Sequence, residues 1–414
     1  MGNHIYAGAE WIGSVPEHWK FYKGKFIFGE SNEKGNANNL ELLSPTQKYG
    51  VIPQTLYEQY TTLRTVKIKE DTDLNTFKTV HKGNFCISLR SFQGGFEYSE
   101  YEGVVSPAYH ILYSRRLICD GYYKYLFKEQ SFIAEMNSYC QTLRDGKNIS
   151  YSDFGKTLIP YPPINEQQAI ANYLDDRCSK IDAIIAEAKA SIEEYKELKQ
   201  SVIYEAVTKG LDKTVKLKSV NSLEVELIPI DWQWTNFQNL FHIKAGGDAK
   251  PELYSDIKDD QHPYPVYTNS KDKDATYAYT STPMFEANTI TVSGRGEIGT
   301  AFYRKEPYDA IIRLLSLSPK LKLDSRYYSY WINNVTQIVS YSTVIGQLSA
   351  QQLAPYKSAV PSFKEQNAIA NYLDKYCLRI ENLISEKQSL IEDLEAYKKS
   401  LIYEVVTGKR KVVA

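Results

Sequence analysis

At 414 residues the chain exceeds one ordinary domain and has room for two or three, each with a core of its own. Hydrophobic residues make up 43% and charged residues 24%, a globular balance, and no run of about 18 apolar residues exists that could cross a bilayer as a helix. The formal net charge of -1 lacks the basic excess with which an autonomous nucleic-acid binder displaces counterions, so any grip on phosphate must come from local clusters or from a partner.

The opening Met1-Gly2-Asn3-His4-Ile5-Tyr6 has neither the regions of a secretion signal nor the Ser or Thr that a myristoylation signal requires at the sixth position, and a cytoplasmic location is expected. Residues 1 to 160 read as a mixed α/β segment. Asn84 to Leu89 and His110 to Tyr113 are strand-like, and a helical stretch follows from about Tyr122 to Tyr139. Two loops there combine small, polar and basic side chains: Arg90, Ser91, Gln93, Gly94 and Gly95 form one, and Arg144, Lys147 and Asn148 the other. Arg and Lys can take guanine or phosphate, and Asn and Gln can take adenine, so these are candidates for DNA contact; solvated surface turns share the same composition.

Residues 161 to 211 form the next segment, in which Pro160, Pro162 and Pro163 stop anything helical from beginning earlier. A helix is expected from about residue 166 to 206, ended by Gly210. Its heptad places Cys178, Ile181, Ile185, Ala188, Ile192, Tyr195, Lys199, Val202 and Ala206 on one seam, the pattern of a coiled coil. Lysine on a seam weakens packing but fixes register, and such a heptad taken alone serves simple oligomerisation equally well.

Residues 212 to 360 read as a second mixed α/β segment, with strand-like Asn288 to Ser293 and Thr300 to Tyr303 and a helical stretch near Tyr327 to Val339. Tyr267, Asn269, Ser270, Arg295, Ser342, Thr343 and Gln347 are its candidates for DNA contact. Residues 361 to 414 hold a second helix whose seam runs through Cys377, Ile380, Ile384, Lys387, Ile391, Leu394, Lys398, Leu401 and Val405, with Gly408 at its end.

The two helical segments are copies. Glu166-Gln167-Gln168-Ala169-Ile170-Ala171-Asn172-Tyr173-Leu174-Asp175 returns as Glu365-Gln366-Asn367-Ala368-Ile369-Ala370-Asn371-Tyr372-Leu373-Asp374, and the match continues downstream to Ile203-Tyr204-Glu205 and Ile402-Tyr403-Glu404. A fainter echo links Val15-Pro16 and Trp19 to Ile228-Pro229 and Trp232, so the duplicated unit is a whole domain followed by a helix. The first helix extends roughly 60 Å at 1.5 Å per residue. The second globular segment begins only about ten residues beyond its end, a reach of no more than ~35 Å. The second helix then buries its seam most simply by running back along the first. The expected fold is α+β: two mixed α/β domains separated by an antiparallel two-helix coiled coil, with a pseudo-twofold internal repeat.

Catalytic signatures are missing. Gly294-Arg295-Gly296-Glu297-Ile298-Gly299 fits a dinucleotide-binding glycine pattern, but Thr300 to Arg304 continue as a strand where that site needs a helix terminus for the pyrophosphate. The turn reads better as a loop that presents Arg295. No GxxxxGK[ST] phosphate loop occurs, and Tyr161-Pro162-Pro163-Ile164 lacks both ends of an amino-methyltransferase tetrapeptide. Five cysteines without a CxxC pair and six scattered histidines offer neither a disulfide framework nor metal-ligand spacing. No cofactor and no metal are expected.

The proline-rich segment running into Glu166-Gln167, its copy at Pro361 to Ala370, and the helix-ending Val207-Thr208-Lys209-Gly210 and Val406-Thr407-Gly408-Lys409 together resemble the specificity subunits of type I restriction-modification enzymes, over essentially the whole chain. Ser91-Phe92-Gln93-Gly94-Gly95, residues 102 to 109 and Arg144-Asp145-Gly146-Lys147 look like that family's target-recognition domains; Pro265-Val266-Tyr267, the Gly294 turn and Gln347-Leu348 are similar but less distinctive. The resemblance implies a non-catalytic subunit. It would read a bipartite double-stranded DNA target through two target-recognition domains, with two modification subunits gripping the coiled coil and restriction subunits joining through them.

Overall fold

The computed structural model describes residues 4–6, 9–34, 40–61, 74–87, 95–139, 149–338 and 347–412. The chain divides into two compact units, Met1–Glu187 with Ser389–Ala414, and Ala188–Gln388. Both long helices are therefore shared. The first, Ile164–Lys209, and the second, Phe363–Val406, each contribute one part to each unit.

The first unit is built on an antiparallel sheet in the spatial order Phe28–Ser31, His110–Ser114, Phe85–Ile87, Phe96–Tyr98. Phe85, Cys86 and Ile87 are all buried, as in a strand covered on both faces. On one face Phe28, Phe85, Phe96, Phe127, Phe132 and Phe154 pack as an aromatic core, with Phe85 and Phe127 at 5.2 Å and Phe96 and Phe127 at 5.0 Å between ring centroids. On the other, Cys86 and Ile111 meet Leu43, Val51, Val80 and Val105. The helical stretch expected near 122–139 is two helices, Asp120–Leu126 and Gln130–Ser138. Glu129 breaks it: its carboxylate accepts from Ser131 N at 2.7 Å and Phe132 N at 3.2 Å, an N-cap that starts a new helix.

The second unit repeats the frame. Its sheet runs Phe241–Ala245, Leu315–Pro319, Thr289–Val292, Ala301–Arg304, the same order with the same antiparallel pairings. Helix Ser325–Asn334 covers it, burying Tyr327, Tyr328 and Trp331 against Phe237 and Phe241. A further sheet, Tyr254–Ser255, Thr276–Thr280, Tyr264–Tyr267 and Asp309–Ala310, stands beside it and ends in a parallel pair.

Both long helices begin just after a proline and end at a glycine with left-handed backbone, Gly210 at φ 77° and Gly408 at φ 71°. The heptad positions are buried or half-buried along both, while the residues between them are mostly exposed. In the first unit Lys398 Nζ meets Asp182 Oδ1 at 2.6 Å; in the second Lys199 Nζ meets Glu381 Oε1 at 2.6 Å. Within the second unit, Ile203, Ala206 and Val207 share a core with Ile369, Ala370 and Leu373, so the helix segments pack antiparallel there.

The repeated residues fasten each sheet domain to its helices in the same way. Gln167 Oε1 accepts from Cys119 N at 2.9 Å while Nε2 donates to Pro162 O at 2.8 Å; Gln366 Oε1 accepts from Asp324 N at 2.9 Å while Nε2 donates to Pro361 O at 2.9 Å. Both amides are buried, at 0% and 1% exposure, and each meets backbone groups that would otherwise lack a partner. Trp19 Nε1 donates to Glu166 Oε2 at 2.8 Å, and Trp232 Nε1 to Glu365 Oε1 at 3.3 Å. At the helix ends, Tyr122 donates its hydroxyl to Val406 O and Tyr327 to Val207 O, each at 2.9 Å. Both tyrosines are thus structural, and burial pushes the hydroxyl pKa of Tyr122 and Tyr327 well up.

Candidate nucleic-acid interface

The two sheets have a connection in the same position of the strand order. In the second unit residues 293–300 connect Thr289–Val292 to Ala301–Arg304, and in the first residues 88–95 connect Phe85–Ile87 to Phe96–Tyr98. A second pair of segments corresponds likewise: 140–149 and 335–349 each lie between the helix on the sheet and a short helix, Tyr151–Lys156 or Ala350–Leu353. The candidates chosen from the sequence in the two halves fall largely on these equivalent connections. Arg90, Ser91, Gln93, Gly94, Arg144, Lys147, Asn148, Ser342 and Thr343 lie outside the described residues. Gly95 is buried, with φ 34°.

In the second unit the two connections meet. Ser293 N donates to Thr300 O at 2.9 Å and Gly299 N to Ser293 O at 2.8 Å, closing the hairpin. Leu348 N donates to Gly294 O at 2.8 Å, bringing in the second connection. Space around Gly294 is tight: a Cβ there would stand 3.0 Å from both Arg313 O and Leu348 O, so glycine is what lets three segments approach. Arg295 is exposed, and its Nη2 donates to Gln347 Oε1 at 3.3 Å.

Asn269 is the rivet of this site. Its Oδ1 accepts from Gly294 N at 2.8 Å and Arg295 N at 3.3 Å, while Nδ2 donates to Ile312 O at 2.8 Å. Ser270 supports the same turn through its carbonyl, which accepts from Ser293 Oγ at 3.3 Å. Asn333 clamps the far strand, accepting from Ala301 N at 2.8 Å and donating to Ala301 O at 2.7 Å. Tyr267 lies deeper, at 9% exposure, with the Arg304 guanidinium 3.6 Å above its ring centroid. Burial pushes the Tyr267 hydroxyl up and the Arg304 guanidinium down from their ordinary values, and the side chain of Arg304 is held by Thr291 Oγ1 at 2.9 Å and Lys273 O at 2.7 Å. What faces outward is a guanidinium fork beside a carboxamide, donors and acceptors that match the edges of guanine and adenine in a major groove.

Ile312 and Arg313 belong to no motif in the sequence. Both are exposed and both have left-handed backbone, φ 52° and φ 59°. For a β-branched residue this is a genuine outlier, and each such residue costs on the order of 1–3 kcal/mol.

The sequence model of the type I restriction modification DNA specificity domain matches residues 16–194 and again residues 229–392. The chain belongs to this family. The two matches begin at corresponding places, Pro16 and Pro229, each three residues before the tryptophan that bonds the start of a long helix. Among specificity-family relatives, a putative type I specificity subunit of Mycoplasma pneumoniae is 31% identical over 157 residues, covering 38% of this chain and 46% of its own length. A second from the same organism is 26% identical over 245 residues, covering 59% of this chain and 61% of its own length. The chain thus spans about half to three-fifths of these curated relatives. A chain in a solved structure described as the structural basis underlying complex assembly and conformational transition of the type I R-M system shares the fold, with a TM-score of 0.73 at 12% identity over 96% of this chain and 99% of that one. No helix among the described residues is long and apolar enough to cross a membrane.

Proposed function

We propose that this chain is the DNA-reading subunit of a cytoplasmic type I restriction-modification complex, in which each sheet domain reads one half of a bipartite double-stranded target. The paired helices set the spacer between the halves and dock two modification subunits, through which restriction subunits join. The chain contributes no catalysis and binds no cofactor. One observation supports this reading above all: in the second unit the turn that bears Arg295 is fastened from behind while Arg295 and Gln347 stand together at the surface. A common scaffold with unlike exposed loops is what two different half-sites require.

On this reading Arg295 and Gln347 contact bases, and Ser342 and Thr343 act beside them. Asn269, whose amide is already engaged, positions the turn; Ser270 and Tyr267 support it. In the first unit Arg90, Ser91, Gln93, Gly94 and Gly95 with Arg144, Lys147 and Asn148 do the corresponding work. The balanced charge fits a subunit that borrows its phosphate grip from the methyltransferase subunits closing around the DNA. Exchange of residues 1 to 160 for the equivalent domain of another family member, followed by single-molecule mapping of methylated sites in cells carrying the cognate methyltransferase, tests the proposal. One half of the target changes and the other is retained; an unchanged target would reduce the chain to an assembly scaffold.

A further inference from the structure

Ile312 and Arg313 connect Asp309–Ala310 to Leu315–Pro319, the strand at the middle of the second unit's main sheet. Neither is a turn-forming residue, yet both hold positive φ. Their conformation is fixed from several sides. Ile312 N donates to Gly247 O at 3.0 Å, Ile312 O accepts from Asn269 Nδ2 at 2.8 Å, and Leu314 N donates to Ile311 O at 3.2 Å. The same Asn269 amide holds Gly294 N and Arg295 N, and Gly294 is packed directly against the Arg313 carbonyl. The backbone that carries Arg313 and the backbone that carries Arg295 are thereby locked to each other through one carboxamide.

The side chains this lock presents are open. Ile312 is 44% exposed, and Arg313 is exposed with no ion-pair or hydrogen-bond partner among the described residues. An arginine that only met a phosphate would need charge and reach, which ordinary backbone supplies and lysine would supply equally well. A guanidinium that takes a base edge bidentately must be aimed, and strained backbone persists where the surroundings over-determine it.

We propose that Arg313 is a second base-reading arginine of the second half-site, aimed by the left-handed pair Ile312 and Arg313 and kept in register with Arg295 by Asn269. This rests on the DNA-reading function proposed above and adds a specificity-determining residue to it. Ile312 supplies an apolar surface beside the guanidinium, suited to a thymine methyl group.

The test uses the full chain assembled with its cognate methyltransferase, assayed for methylation of a duplex library randomised across both half-sites. Arg313→Ala lowers the preference at one base pair of the second half-site by about tenfold or more. The first half-site stays as it was, and Arg313→Lys does not restore the lost preference. A loss spread evenly over all sequences, or rescue by lysine, would mean a phosphate contact and overturn the proposal, as would an unchanged profile. Ile312→Gly, which removes the steric objection to positive φ, leaves the melting temperature unchanged or raised and weakens preference at the same base pair; intact preference in that variant would overturn the aiming role. Exchange of residues 212 to 360 separates the two levels. If that exchange leaves the second half-site unaltered, the underlying function has failed; if it alters the half-site and the Arg313 variants do not, only this inference has.

Discussion

The two units hold the same four-stranded sheet in the same order, fastened to the long helices by matching Gln, Trp and Tyr bonds, yet they differ in what flanks that sheet. The first unit flanks its sheet with two-stranded pairs, Leu43–Thr46 with Gly50–Pro53 and Lys78–Val80 with Gly103–Val105. The second places a further four-stranded sheet and the left-handed residues 312 and 313 there. Sameness is concentrated where the domain meets its helices, and difference in the elements that flank the sheets. Selection for one assembly geometry and for two half-sites would act on separate surfaces in this way.

The shared frame rests most heavily on its two buried amides. Gln167→Leu and Gln366→Leu each remove a buried amide and strand a backbone N–H and a carbonyl, at about 1–3 kcal/mol for each group left unpaired. The two variants should destabilise their own units to a similar degree, read by hydrogen exchange resolved along the chain. Markedly unequal losses would mean that the repeat is one of sequence more than of mechanics.

At the helix ends the copies are offset by one residue. Alanine at either glycine must adopt positive φ, at about 1–2 kcal/mol. A Cβ at Gly408 would also lie 2.4 Å from Pro16 Cδ, whereas at Gly210 the nearest atom is Trp232 Cζ2 at 3.2 Å. Gly408→Ala should therefore lower the melting temperature more than Gly210→Ala, and the reverse order would contradict the packing.

The smallest effect belongs to the first unit. His81 lies between Glu33, 3.1 Å from Nε2, and Glu102, 3.0 Å from Nδ1, and the hydrogen bond to Glu33 above all raises its pKa, against a lowering by burial. A raised folded pKa means that its stabilisation is complete below about pH 6.5, the unfolded value, and is lost as pH climbs through the folded one. The pair is largely exposed, so the change is slight and screened by salt. Melting curves from pH 5.5 to 8.5 of the protein and of His81→Gln should converge toward the alkaline end.

Periodicity and repetition were legible without coordinates because they are local statements. A heptad dictates which side of a helix is apolar wherever that helix goes, and a duplicated Glu-Gln-x-x-Ile-Ala announces a duplicated attachment. Strand-like stretches near 84–89, 110–113, 288–293 and 300–303 appear within a few residues of where alternation put them. The break at Glu129 was hidden by the flanking aromatic residues, which suit a continuous buried helix as well as two short ones.

The amino-acid order alone thus determined two unlike domains, two copied helices and the proline and glycine limits of each, since these follow from backbone sterics and from the spacing of apolar side chains along one chain. It takes the packed fold to spend Asn269 on holding the Gly294 turn to Ile312, to stand Arg295 beside Gln347, and to turn Ile312 and Arg313 left-handed into view. Those relations join residues 25 to 52 positions apart, and no local preference of an isoleucine or an arginine encodes them; they exist because the surrounding packing outweighs that preference.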